Sequence, residues 1–171
     1  LVYSTGYSAN LGIISALVAR EDTVFSDRLN HASIIDGIIL SRAELVRYPH
    51  KDLGALEDLL KQTPDGKNKL IVTDSVFSMD GDIASIPGLI DLAERYDCLL
   101  MIDDAHATGV LGKEGRGSLA HFNIKPCSRI IQMGTLSKAF GGLGGFVCAS
   151  QTLIDFLVNK SRAFIFTTAL P

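Results

Sequence analysis

Short apolar, β-branched runs alternate along this chain with stretches whose apolar residues recur every three or four positions. TVFS (23–26), ELVRY (44–48), KLIVTDSV (69–76), CLLMIDD (98–104), SRIIQM (128–133) and GGFVCAS (144–150) predict strands. Helical spacing fills the intervals: about Tyr7 to Arg20, roughly His31 to Arg42, then 52–61, 85–96 and 152–162. In DLGALEDLLK the apolar positions are 53, 56, 59 and 60, and Asp52 stands where an N-cap belongs. Pro87 falls near the first turn of the following helix, where its missing N–H costs nothing. PDGKN (64–68) reads as a turn and 109–117 as a glycine-rich loop.

A βαβα rhythm with strands apolar on both faces predicts an α/β fold: three layers, a mostly parallel sheet, and helices on both faces. No repeat, linker or low-complexity segment interrupts it. In such sheets ligands bind beyond the carboxyl ends of the strands. The polar residues fall there. Asp74 and Ser78 follow one strand, Asp103, Asp104 and His106 end or follow another, and Thr135, Ser137 and Lys138 follow a third.

Composition narrows the picture. The chain has 171 residues, enough for one domain with a real core. A net charge of −3 and the lack of any basic run argue against nucleic acid as a partner. LGIISALVA and IIDGIIL are too short or too interrupted to span a bilayer, so no membrane partner is expected. Cys98, Cys127 and Cys148 are odd in number and lack metal-type spacing, which fits structural thiols in a reducing cytoplasm. The chain opens on LVYSTGYSAN without an initiator methionine, stops at TTALP, and is 47% hydrophobic. A piece of a larger protein is the expectation.

Lys138 raises a chemical question. It sits in MGTLSKAFGG, a short apolar run between hydroxyl residues and glycines. A desolvated lysine amine condenses with aldehydes, because burial lowers its pKa. Pyridoxal phosphate then needs a buried carboxylate for its pyridine nitrogen, donors for its phenolic oxygen, a flat group against its ring, and N–H groups for its phosphate. Asp103, His106, His31, Thr135 and the Gly6-containing STGYSAN segment are candidates for these tasks. Each also has a plainer reading. His31 is a residue at a helix start, Asp103 and Asp104 end a strand, and STGYSAN caps a helix. GGLGG lacks the G-x-G-x-x-G order of a dinucleotide loop.

Taken in order, STGYSAN, SDRLNHASIIDG, DSVFSMDGD, MIDDAHATGVLGKEGRG, GTLSKAFGG and FIFTTALP resemble the pyridoxal-phosphate-dependent α-oxoamine synthases over essentially the whole chain. The resemblance implies the large domain of the type I, aspartate-aminotransferase-like fold. An N-terminal segment and a small C-terminal domain would lie outside 1–171. It implies that Lys138 carries the cofactor as an imine and that Asp103 pairs with the pyridinium nitrogen. His106 and Ser78 would bond the phenolic oxygen, and His31 would stack on the ring and touch substrate. Gly6, Tyr7 and Thr135 would hold the phosphate. Thr168, or Thr167, would approach substrate or phosphate from the neighbouring subunit of a homodimer. The implied reaction is a decarboxylative condensation of an amino acid with an acyl thioester, on coenzyme A or a carrier protein. DDAHATGVLG with VFSMDGD looks most like the member that joins L-alanine to a pimeloyl thioester for biotin synthesis. Members using glycine or serine are the alternative. From the residues alone, a metal-dependent hydrolase built on Asp103, Asp104, His106 and His31 also stands, as does a non-catalytic subunit, although such a subunit would be expected to lack Lys138.

Overall fold

The computed structural model describes residues 1–64 and 66–168. The PDGKN turn contains Asp65, and the FIFTTALP block ends in residues 169–171; these four positions lie outside the described residues. The strands are β1 (Val2–Tyr3), β2 (Thr23–Asp27), β3 (Glu44–Tyr48), β4 (Lys69–Asp74), β5 (Leu99–Asp103), β6 (Ile130–Thr135) and β7 (Gly145–Cys148). The helices are α1 (Gly6–Leu17), α2 (Ala32–Ser41), α3 (Leu53–Gln62), α4 (Ile86–Arg95), α5 (Ser118–His121), α6 (Gln151–Lys160) and α7 (Arg162–Ile165).

One seven-stranded sheet runs in the order β1-β7-β6-β5-β4-β2-β3. The pairs from β3 through β6 are parallel, while β7 lies antiparallel to β6 and to β1. The strands' apolar runs feed both faces by simple alternation. Val24, Leu70, Val72, Met101 and Ile131 join one buried cluster with α1, α2 and α6. Phe25, Ile71, Leu100, Ile102 and Ile130 join another with α3, α4 and α5. The three-layer expectation holds.

The helices follow their sequence signals. Asp52 caps α3 by accepting the Ala55 N–H at 2.9 Å, and Leu56 and Leu60 face the core. Pro87 sits in the first turn of α4, whose buried positions are Ile86, Leu89, Leu92 and Ala93. Gly37 brings α2 against α1: a Cβ there would stand 3.1 Å from the Asn10 carbonyl oxygen and 3.2 Å from Ile14.

Several boundaries differ from expectation. The first helix stops at Leu17 rather than Arg20, since Val18 is already extended. The 152–162 helix is two helices, α6 and α7, separated at Ser161, which is extended and buried. The Ser161 hydroxyl accepts a hydrogen bond from the Tyr3 hydroxyl at 3.0 Å. β1 was not foreseen, because two residues carry no period.

Candidate active site

Register builds the site. Asp74 of β4 pairs with Asp103 of β5, and Asp103 pairs with Met133 of β6. Asp74 lies two residues beyond Val72 and Asp103 two beyond Met101, so both side chains leave the sheet on the α1–α2 face. Thr135, two beyond Met133, follows the same rule. The result is a cavity of about 280 Å³ over the carboxyl ends of β4, β5 and β6. Gly6, Tyr7, His31, Asp103, His106, Thr135 and Lys138 all contribute to its wall. Asn10, Ser33, Asp74 and Ser137 do so as well.

The α1 N-terminus forms one side. Thr5 caps it, its hydroxyl accepting from the Ser8 N–H at 2.9 Å, while the Ala9 N–H reaches the Thr5 carbonyl at 3.0 Å. The N–H groups of Gly6 and Tyr7 are first-turn donors without helical acceptors, and the helix dipole adds positive potential there. Close packing holds this turn in place. A Cβ on Gly6 would meet the Thr135 hydroxyl at 3.3 Å, and one on Gly145 would lie 2.6 Å from the Thr5 carbonyl oxygen. The Thr135 hydroxyl in turn donates to the Gly144 carbonyl at 3.0 Å and pairs with Ser137 at 2.9 Å.

Asp103 forms the floor. Its Oδ1 accepts the Ala105 N–H at 2.9 Å and its Oδ2 accepts from Asn10 Nδ2 at 2.7 Å. Burial raises its pKa; the Asn10 and Ala105 donors and the Lys138 charge oppose that shift. Asp74 is pushed up to about 8, chiefly by burial and then by the Asp103 charge, against the His31 N–H that it accepts at 3.0 Å.

Lys138 Nζ donates to His106 Nε2 at 2.8 Å. His106 is lowered by burial and by the lysine charge, so its Nε2 accepts and its Nδ1 carries the ring proton. His31 both caps α2, through its Nδ1, and lines the cavity, so the plain reading and the functional one coexist.

Some expectations fail on geometry. Asp104 points to the opposite face of the sheet from Asp103, fully buried, where it accepts from the Ser118 N–H at 2.9 Å and from Gln132 at 2.5 Å. The metal site of Asp103, Asp104, His106 and His31 therefore does not assemble. Lys138 is exposed here, so the burial expected around its amine is not provided by these residues. Ser78 is exposed and stands outside the cavity wall; Thr168 is exposed as well, in keeping with a residue expected to reach the neighbouring subunit's site rather than this one. Sequence reading passed over Asn10 and Ser33. Asn10 lies one helical turn after Gly6 and Ser33 two residues after His31, and that spacing was the available signal.

This sheet, with its polar residues gathered over three parallel strand ends, is the large-domain architecture of the type I pyridoxal-phosphate-dependent enzymes. The chain belongs to the aminotransferase class I and II family, whose profile matches residues 1–171. It is 57% identical over its full length to 8-amino-7-oxononanoate synthase of Geobacter sulfurreducens, and 56% identical to the putative enzyme of that name from Methanocaldococcus jannaschii. It spans 44% and 46% of those proteins, less than half of each. Among solved structures it matches 8-amino-7-oxononanoate synthase from Francisella tularensis with a TM-score of 0.87 at 42% identity, covering all of this chain and 49% of that one. Serine palmitoyltransferase from S. paucimobilis, solved with a PLP–myriocin aldimine, matches with a TM-score of 0.94 at 37% identity, covering 43% of that chain.

Proposed function

We propose that the protein carrying this chain is a pyridoxal-phosphate-dependent α-oxoamine synthase, acting as an 8-amino-7-oxononanoate synthase in biotin formation. It joins L-alanine to a pimeloyl thioester with loss of CO₂. The observation that carries the reading is the single cavity that gathers Lys138, His106, His31 and buried Asp103 beside the α1 N-terminus. The donor set fits the cofactor: first-turn N–H groups and the Thr135 hydroxyl for a phosphate, a buried carboxylate for a pyridine nitrogen, and a lysine for an aldehyde. The identity of 57% to a synthase of that name favours this member. The higher TM-score to serine palmitoyltransferase keeps a serine-using, longer-chain reading as the second.

When bound, the cofactor supplies an electron sink for charge developing at the amino acid's α-carbon. The chain's own residues do the rest. Lys138 holds the aldehyde and serves as the base at the α-proton, with His106 as the acceptor that orients its amine. Asp103 would hold the ring nitrogen, where a carboxylate would favour its protonated form. His31 offers a flat face to the ring, and Gly6, Tyr7 and Thr135 hold the phosphate. The cytoplasm, and a homodimer with the site at its interface, belong to the same proposal. Among the described residues no helix is long and apolar enough to cross a membrane.

The test is borohydride reduction of the intact protein with pyridoxal phosphate, followed by peptide mapping. The cofactor is expected on Lys138, and Lys138→Ala is expected to abolish labelling and cut kcat/KM on the order of a thousandfold or more. A folded wild-type protein without label at Lys138 would overturn the reading. Alanine, glycine and serine against short and long acyl thioesters then separate the family members.

A further inference from the structure

The hydrogen bonds beneath the cavity have a direction. The Asn10 side chain is 1% exposed, and its Nδ2 is a donor with two hydrogens. One goes to Asp103 Oδ2 at 2.7 Å and the other to Ser33 Oγ at 2.8 Å. Ser33 Oγ is therefore an acceptor on that side, and its own hydrogen is left for His31 Nδ1, 2.8 Å away. The Ser33 backbone N–H points at the same ring nitrogen, at 3.2 Å. His31 Nδ1 is then an acceptor twice over, which places the ring proton on Nε2. One chain of bonds thus runs from the Asp103 carboxylate through Asn10 and Ser33 to the His31 ring.

The arrangement is maintained at a cost. Asn10 Oδ1 is buried without a partner among the described residues, and an unpaired buried acceptor destabilises a fold. Turning the amide over would set that oxygen against the carboxylate, so the orientation is dictated by Asp103. Gly37, one turn beyond Ser33 on α2, allows the close helix approach that the Ser33–Asn10 bond requires.

We propose that Asn10 and Ser33 are a positioning pair that ties the Asp103 carboxylate to the His31 ring, and so sets cofactor affinity and the pH range over which the cofactor's ring nitrogen stays protonated. The proposal rests on the pyridoxal-phosphate reading above. Asn10 opposes the upward shift that burial imposes on the Asp103 carboxyl, and Ser33 holds His31 in one tautomer against the same ring.

The experiment uses the intact protein with ¹⁵N-labelled pyridoxal phosphate. Equilibrium dialysis gives affinity, and the ring-nitrogen NMR shift across pH reports its protonation. Asn10→Leu, which keeps volume and removes the donor, is expected to weaken cofactor binding on the order of tenfold or more and to move loss of the ring proton to lower pH. Ser33→Ala is expected to move both in the same direction by less, and Ser33→Thr, which keeps the hydroxyl, to restore wild-type behaviour. Thermal unfolding of the cofactor-free forms shows whether each variant is folded. A folded Asn10→Leu protein with wild-type affinity and titration overturns the proposal. If that variant does not fold, Ser33→Ala and Ser33→Thr decide, and identical titrations for the two overturn it. A wild-type protein that takes no cofactor on Lys138 fails the underlying reading, and this one with it.

Discussion

Adjacent aspartates have unlike fates in this molecule. Asp103 faces the cavity floor and Asp104 the opposite layer, because successive residues of a strand alternate sides and β5 ends where the two part. The sequence shows both acids but not their parity, since the last residue of a strand is its least certain position. Lys138, His106 and Asp103 were legible as candidates because each ends or follows a recognisable strand. Asn10 was not, because an asparagine inside an apolar helix looks like any tolerated polar residue. At this scale Asp74 carries a testable consequence. Its folded pKa is raised from the unfolded carboxyl value to about 8, so the stability it contributes is full below about pH 4 and is lost as pH rises through about 8. Asp74→Asn keeps an oxygen for the His31 N–H and removes the buried charge. The melting temperature of the cofactor-free variant should exceed wild type by a margin that widens from about pH 4 to about pH 8. A margin independent of pH would contradict the assignment.

Elements place these residues, and glycine decides how closely they approach. β7 crosses behind the first turn of α1 only because Gly145 has no Cβ: one would stand 2.6 Å from the Thr5 carbonyl oxygen and 2.7 Å from Gly6 Cα. Gly145→Val should destabilise the fold by about 1–3 kcal/mol and displace the α1 N-terminus. Phosphate or pyridoxal phosphate affinity should fall with it, which equilibrium dialysis would show. On the far side of the sheet's carboxyl edge, His50 ties three segments together. Its ring nitrogens lie 3.0 Å from Asp27 and 2.9 Å from Asp82, joining the end of β2, the turn after β3 and the loop before α4. Burial works to lower its pKa, but the two carboxylates outweigh that and raise it. The stability from this clamp is therefore full below the ordinary histidine value near 6.5 and is lost as pH rises past the raised one. His50→Gln should narrow the stability gap to wild type as pH climbs through that range, read by chemical denaturation. The parallel strands and helices α1 to α4 were legible from period and caps. The antiparallel turn of β7 and the split between α6 and α7 were not, since both depend on packing partners distant in sequence.

Among the described residues, several large apolar side chains face solvent. Ile39, Leu40, Phe140, Val110 and Phe166 are all more than half exposed, and Met79 is 92% exposed. Where such side chains gather into a contiguous patch they mark a surface that binds another surface. The chain spans less than half the length of the relatives it matches. Residues 1–171 alone should bind a hydrophobic dye such as ANS more strongly per residue than the intact protein; equal binding would show that these surfaces stay open in both. The stitching of β1 into the sheet has a consequence for how the protein is made. Val2 and Tyr3 pair with Phe146 and Gly145, and the Tyr3 hydroxyl bonds Ser161. A ribosome therefore releases the first strand more than a hundred residues before its partners exist. The parallel centre of the sheet can form as it emerges, but this edge has to wait until β7 and Ser161 have been made, so the sheet closes from its middle outward.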